Sequence, residues 1–385
     1  MDMFHDANGD AAADELLQAR QQTLARLKNR IDGAPRWDFY KSFSNEHERI
    51  YALGACAYVT AEERKPPCSR AFFKLWEIAC DMWADFEPLV GRTDDEPRRY
   101  AYVGEGPGSF IEAVVTMRAR AGGRVGGDAH TGITLRSAGY TVPHWRLAAH
   151  WKAAHRVRIS HGADGTGNVY RAENVDAFVA DAGGPASCHL VTGDGGFDFS
   201  GNFNEQESSM LRMLVSEAVC ALLLLRPGGA FVLKAFDTFN APTRRLLGAL
   251  QAAFRGTRVC KPRCSRPANA ERYFVFTGFR GGPVATDLVS HLRVWAAGVD
   301  AAPDAAAHAD ALLRSVEVDA AVELRLCLLC LLYATAQIRH VEATLHNATV
   351  RAEEDREVAA AIAATQRTRA AEWCQRYMTI FPPQL

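Results

Sequence analysis

The chain has 385 residues, enough for one large domain or for a domain with a smaller companion. Its 44 basic residues nearly balance its 45 acidic ones, so net charge demands neither nucleic acid nor an acidic surface, and local charge has to make that case. Ten scattered cysteines without framework spacing, and an acidic, polar start without a signal-peptide pattern, predict reduced thiols inside a cell, in nucleus or cytoplasm.

Leu16, Leu17, Leu24, Leu27 and Ile31 recur at helical spacing over residues 14–31, and Gly33-Ala34-Pro35 ends that helix. Next, Arg36-Trp37-Asp38-Phe39-Tyr40-Lys41 interleaves rings with bases, a pattern that stacks a nucleobase and meets phosphate when it is not simply a docked loop. Residues 69–86 read as helix, with Lys74 among Phe72, Phe73, Leu75 and Trp76. A lysine so surrounded either snorkels to water or is held partly desolvated.

A strand over residues 99–103 runs into Gly104-Glu105-Gly106-Pro107-Gly108-Ser109-Phe110, and a helix follows from about Ile111. Glycines after a first strand let the backbone approach a ligand at a helix N-terminus. The third glycine of a dinucleotide fingerprint is missing, and Pro107 suits a nucleoside with an amino-acid tail, S-adenosylmethionine, better than a pyrophosphate. Residues 132–135 continue the sheet, residues 144–151 are basic and aromatic, and residues 156–160 alternate like a strand. The loop over residues 161–170 offers Asp164 and Asn168 as hydrogen-bonding partners for an adenine or ribose, or is an ordinary turn.

Residues 188–237 organise the rest. An apolar strand ends in Asp194, a long helix follows, and a second apolar strand ends in Lys234. This is a strand–helix–strand unit of a parallel sheet, in which chemistry gathers at the carboxyl ends of the strands. Asp194 and Lys234 therefore share one rim as a candidate catalytic pair, with a structural salt bridge as the plain alternative. Residues 201–206 form a polar loop. Lys261, Arg263, Arg266 and Arg272 stand with Glu271 at the mouth of a final strand over residues 273–277, beside that rim, which favours RNA contact over a merely solvated loop. From Gly281 onward the chain turns to alanine-rich helices, over residues 324–351 and 353–371. The apolar run 324–333 is too short to span a bilayer and reads as a buried helix. Cys327 and Cys330 lack histidines at zinc spacing, so no metal is expected.

The glycine loop, the Asp164-Gly-Thr-Gly-Asn168 and Glu173-Asn174-Val175 segments, Asp194-Gly-Gly-Phe, Lys234-Ala-Phe-Asp and Ser265-Arg-Pro-Ala-Asn-Ala-Glu-Arg-Tyr273 occur in that order. Together they resemble the FtsJ-like RNA ribose 2′-O-methyltransferases, over about residues 69–279. The nearest branch is similar to the cap-specific mRNA (nucleoside-2′-O-)methyltransferases that form cap 1, and to their relatives in large DNA viruses. The resemblance implies a Rossmann-like α/β sheet at residues 69–282, with a helical, RNA-contacting extension at 1–68 and a helical region at 283–385. It implies a catalytic tetrad of Lys74, Asp194, Lys234 and Glu271. S-adenosylmethionine is expected on Ser69, Gly104 to Phe110, Asp164, Asn168, Val169 and Asp194. RNA is expected on Asn204, Glu205, Gln206, Arg263, Arg266 and Asn269.

The sequence departs from the family pattern in three places. Ser109 replaces a glycine, which should tighten the approach to the cofactor's tail. Ser69 stands where relatives carry asparagine. No acid ends the second strand as a ribose ligand, Asp128 being too early. Residues 37–45 are the region to search for a cap site. In the implied reaction Lys234 is the general base, and a lysine in that role needs its proton affinity lowered from the ordinary lysine range. The substrate is the 5′ end of capped mRNA, with room for a capping-enzyme or polymerase partner. An internal or ribosomal RNA ribose, or an RNA-binding scaffold without activity, are the competing readings. A nicotinamide dehydrogenase is disfavoured by the missing third glycine and the absent acidic ribose ligand.

Overall fold

The structure is a computed structural model that describes residues 7–31, 33–51, 66–91, 96–123, 125–136, 144–196, 203–301, 318–379 and 381. Gly201 and Asn202 of the polar loop lie outside these residues.

Seven strands form one sheet in the order β3-β2-β1-β4-β5-β7-β6. They are β1 (Arg99–Val103), β2 (Ala129–Ile133), β3 (Val157–Ser160), β4 (Cys188–Gly193), β5 (Leu225–Ala235), β6 (Phe254–Cys260) and β7 (Arg272–Phe279). All pairings are parallel except those of β7, which runs antiparallel to both β5 and β6. The strand order leaves β1 in one direction and β4 in the other, so the loops after these neighbouring strands part and leave a crevice at their carboxyl ends. Gly104 to Phe110 follows β1 and Asp194 follows β4, on that same edge.

Side chains alternate across the sheet. Tyr100, Tyr102, Leu190, Val232 and Val275 point to one face, buried under helices α3 (Ala71–Asp81), α4 (Trp83–Val90) and α5 (Ser109–Arg120). Ala101, Val103, Val191, Phe231 and Phe276 point to the other. Because both faces are covered, the central strands read as continuous apolar runs rather than alternating ones. The second face is covered by α7 (Ala172–Asp181), α8 (Gln206–Leu224), α9 (Ala241–Ala252) and α10 (Gly282–Ala301), while the short α6 (Ala149–Ala154) precedes β3. The helix expected over residues 69–86 is in fact α3 and α4, which meet at Met82, whose φ of −123° and ψ of 33° leave the helical region. Leu288, Leu292 and Trp295 of α10 are buried in the sheet's own core, so that layer extends past residue 282.

Helices α1 (Ala7–Ile31) and α11 (Ala320–Val350) pack together through Leu24, Leu27 and Ile31 on one side and Ile338, Val341 and Leu345 on the other. α12 (Arg356–Tyr377) lies on α3, where Trp76 Nε1 donates to the Tyr377 carbonyl at 2.8 Å. α11 is the long helix expected over residues 324–351, but it corrects the reading of its apolar run as buried and too short to span a bilayer. It runs for 31 residues, long and apolar enough to cross a membrane by length and composition alone. Only one stripe of it is covered, at Cys327, Cys330 and Ala334, whereas Leu324, Leu328 and Leu332 are 44%, 55% and 64% exposed. The helix is apolar all round, but its neighbours pack on one side only.

Candidate active site

Backbone conformation builds the floor of the crevice. Gly104 has φ +69°, and a Cβ there would sit 2.5 Å from the Gly195 Cα, so the loops after β1 and β4 cross glycine on glycine. Beneath the crossing, Glu217 of α8 accepts from the Gly195 amide at 2.8 Å, and burial pushes its carboxyl up to about 8. Gly108 (φ +112°) opens α5, and Leu147 fills the space its side chain would take. The basic and aromatic stretch from His144 is thereby placed over the loop, with the Arg146 amide donating to the Pro107 carbonyl at 3.0 Å.

Ser109 behaves differently from the expectation. Its hydroxyl is buried, and it accepts from the Ser69 hydroxyl at 2.8 Å and donates to the Ser69 carbonyl at 3.2 Å. Ser109 therefore ties the glycine loop to the segment that leads into α3, and the Ser69 hydroxyl is spent on that tie. The loop over residues 161–170 also spends its polar groups on its own turn, with Asp164 and Thr166 at the surface. Asp164 Oδ1 accepts from the Thr166 amide (2.8 Å) and hydroxyl (2.7 Å), and Asn168 Oδ1 accepts from the Tyr170 amide at 3.0 Å. The organiser of this turn is Asn174, fully buried, which donates to the Asn168 carbonyl at 3.0 Å and accepts from the Asp164 amide at 3.1 Å. Asp128 is buried against Arg118 at 2.9 Å, a structural ion pair at the far end of β2.

Four charged side chains from distant parts of the chain meet at the rim. Lys74, on the first turn of α3, lies 2.8 Å from the Glu271 carboxylate. Lys234, near the end of β5, donates to the Asp194 carbonyl at 2.6 Å and lies 3.2 Å from its Oδ1. Side-chain exposures of 16% and 12% for the first pair and 11% and 14% for the second leave each open on one side. The second pair sits against Gly196, where a Cβ would come within 3.2 Å of Lys234 Nζ. Burial works against charge at Lys74, but Glu271 and Asp194 outweigh it and raise its proton affinity above the ordinary lysine range. Burial likewise opposes ionisation of Glu271, yet Lys74, Lys234 and Lys261 hold its carboxyl down at about 2. Two groups beyond the expected four complete the cluster. The Tyr273 hydroxyl donates to Asp194 Oδ1 at 2.9 Å, and the Ser265 hydroxyl donates to Glu271 Oε1 at 2.7 Å. Both belong to the Ser265–Tyr273 segment, but only their positions facing the two carboxylates reveal their use.

The expected RNA residues divide. Asn204 and Glu205 are exposed where α8 begins, and Gln206 is half-buried; Asn204 donates to Asn29 of α1 at 2.7 Å. Asn269 stands in the turn before Glu271. Arg263 is engaged elsewhere: it donates to Glu77 Oε1 at 3.3 Å and to the Tyr377 hydroxyl. Arg266 lies 2.8 Å from Glu48, which also accepts from Arg70. A basic loop beside the rim looked free for RNA, but internal carboxylates claim both arginines. Helix α2 (Trp37–Phe43), the stretch proposed for the cap, places Tyr40 on Glu353, beyond α11.

The crevice suits a cationic ligand. The loop from Gly104 to Phe110 carries no lysine or arginine to meet a pyrophosphate. Glu105 Oε1 is buried without a partner, and burial together with Asp194 holds this carboxyl well above the usual carboxylate range. An ammonium or sulfonium beside it would draw this carboxyl back to its ionised form and answer the charge so formed, which fits S-adenosylmethionine. A sheet of this order, with a glycine loop after β1 and an acidic crevice, defines an S-adenosylmethionine-dependent methyltransferase. The FtsJ-like methyltransferase family matches residues 67–279, more than half of the chain, and the chain belongs to that family. It is similar to proteins named cap-specific mRNA (nucleoside-2′-O-)-methyltransferase 1. That of Trypanosoma cruzi is 36% identical over 288 residues, 73% of this chain and 74% of that protein. That of Leishmania braziliensis is 31% identical over 281 residues, 71% of this chain and 66% of that protein. The Danio rerio protein is 34% identical over 211 residues, 51% of this chain but only 23% of its own length.

Proposed function

We propose that this methyltransferase modifies the ribose 2′-oxygen of the first transcribed nucleotide of capped mRNA, forming cap 1. The observation that carries this reading is the meeting of two lysine–carboxylate pairs, Lys74–Glu271 and Lys234–Asp194, at one rim beside the glycine loop. A ribose hydroxyl is a poor nucleophile and has to lose its proton as it attacks. S-adenosylmethionine, held by Gly104 to Phe110, supplies an activated methyl group. Lys74, kept cationic by Glu271, orients the 2′-oxygen and steadies its growing negative charge. Lys234, the other lysine at the rim, is in this reading the group that takes the hydroxyl proton. Asp194 sets Lys234 through its carbonyl and carboxylate, and Tyr273 fixes the orientation of that carboxylate. Positioning of the two reactants supplies much of the rate.

In this reading the cap sits in a recess near the rim. A recess of about 280 Å³ lies between α1 and the loop after β5, lined by Leu24, Lys28, Asn204, Glu207, Asp237 and Phe239. N7-methylguanine is a cationic aromatic ring, and Phe239 is the aromatic partner this recess offers it, Asp237 being paired with Lys28 and Arg272 and Glu207 accepting from the Phe239 and Asn240 amides. Asp237 follows Lys234 by three residues and pairs with Arg272, the neighbour of Glu271, so recess and rim are continuous. The test is methyl transfer from labelled S-adenosylmethionine to short RNAs with and without an N7-methylguanosine cap. Transfer confined to capped RNA, resistant to alkaline cleavage at the first nucleotide and lost in Lys234→Ala, is expected. Equal transfer to uncapped RNA moves the target to an internal ribose.

A further inference from the structure

Lys261 follows β6 and takes no part in the reaction outlined above, yet it is among the lysines nearest the catalytic carboxylate. Its Nζ donates to the Asn269 carbonyl and to the Glu271 carbonyl, each at 2.6 Å. The loop between Lys261 and Glu271 is held from other directions as well. Arg70 donates to the Cys264 carbonyl at 2.9 Å, and Gln337 of α11 donates to the Ala268 carbonyl at 3.1 Å. Those bonds fix the middle of the loop. Lys261 reaches across its base and holds the backbone of the two residues that deliver Asn269 and Glu271 to the rim.

We propose that Lys261 is a positioning residue, which clamps the turn from Asn269 to Glu271 so that the Glu271 carboxylate meets Lys74. This rests on the reading of Lys74 and Glu271 as catalytic. Unpaired carbonyls in a part-buried turn are costly, so without the clamp the turn reorganises toward water. The chemistry of the amine suits the task. Burial, with Arg272 and Lys74, pushes Lys261 down to about 7 against the pull of Glu271 and Asp237, and His340 of α11 also faces it. A neutral amine keeps two N–H donors and a charged one has three, so the clamp has enough donors in either state.

The experiment compares Lys261→Met, Lys261→Arg, Glu271→Gln and the Met/Gln double variant of the full chain. It measures kcat and RNA KM on capped RNA, S-adenosylmethionine affinity by calorimetry, and the melting temperature. Lys261→Met is expected to lower kcat by about tenfold and raise RNA KM severalfold, with cofactor affinity within about twofold, because the glycine loop is untouched. Lys261→Arg should recover most of both losses, since its fork reaches two carbonyls. The double variant should be no slower than Glu271→Gln alone. Wild-type kinetics in Lys261→Met overturns the proposal. So does equal damage in both Lys261 variants with cofactor binding lost. If Lys261→Met does not fold, Lys261→Gln, which keeps an amide donor, takes its place, and failure of both to fold makes Lys261 a fold residue and ends the proposal. A normal kcat in Glu271→Gln overturns the tetrad reading instead, whereas a slow Glu271→Gln beside a normal Lys261→Met removes only the clamp.

Discussion

Lys74 and Glu77 stand one turn apart on α3, and each is paired with the segment that leads into β7. Lys74 meets Glu271 at 2.8 Å, and Glu77 accepts from the Arg263 amide at 2.9 Å and its guanidinium at 3.3 Å. The difference lies in what closes the other side. The Lys74 pair faces the crevice, with Asp194 and Lys234 beyond it. The Glu77 carboxylate is sealed by α12, where Trp373 Nε1 donates to Glu77 Oε2 at 2.7 Å, while Arg263, its side chain 42% exposed, reaches the Tyr377 hydroxyl from the surface. The same charge types on one helix thus do two jobs. Company with the Asp194–Lys234 pair marks the chemical pair, and contact with aromatic side chains of another helix marks the stitch.

The widest separation between the two pairs is expected in the chemical step. Lys234→Ala, on the open side, should slow single-turnover methyl transfer by about a thousandfold or more while leaving the melting temperature nearly unchanged. Glu77→Ala should do the reverse, because it leaves Arg263 and Trp373 without their buried acceptor. A loss of about 3 kcal/mol in urea denaturation is expected, with near-normal kcat for the folded fraction. A slow but stable Glu77→Ala would break the division. Acidity sharpens the contrast further. Glu271 is held at about 2, below its unfolded value, so its contribution is present above about pH 4.5 and lost as pH falls toward 2. Glu217, raised to about 8, has the opposite sign: the folded state gains from its proton, and that gain is lost as pH rises from about 4.5 to 8. Subtracting stability–pH curves of Glu271→Gln and Glu217→Gln from wild type should give slopes of opposite sign. The smallest effect belongs to Arg263→Ala, with about 1 kcal/mol lost and an RNA KM within about twofold of wild type.

Much of the frame was legible because burial on both faces makes the central strands continuous apolar runs, each ended by a glycine or a charge. Asp194 and Lys234 could be placed on one edge from topology alone, since a right-handed parallel crossover brings both strand ends to the same rim. What stayed hidden depends on partners far along the chain. Ser109 looked like a wedge in the cofactor loop, but Ser69, brought by α3, decides where its hydroxyl points. Arg263 and Arg266 looked like a basic mouth until Glu77 and Glu48 claimed them. Lys261 acts on backbone carbonyls, which have no signature in side-chain sequence. The exposed stripe of α11 was missed for a related reason: hydropathy reports composition around a helix, not which side finds a neighbour.

The packing of α1 against α11 sets an order of events during synthesis. α1 emerges from the ribosome long before α11 does, so the recess wall that includes Leu24 and Lys28 waits without backing while the sheet is being made. The glycine loop belongs to the span between them and is made earlier, whereas the loop that delivers Glu271 to the rim gains its Gln337 bond only with α11. A chain that stops short of α11 holds the residues of the glycine loop but neither the backing of the recess nor the Gln337 bond to the Glu271 loop. In the cap 1 reading the site for the methyl donor is built first, and the recess assigned to the cap is finished only when the late helix docks on the early one.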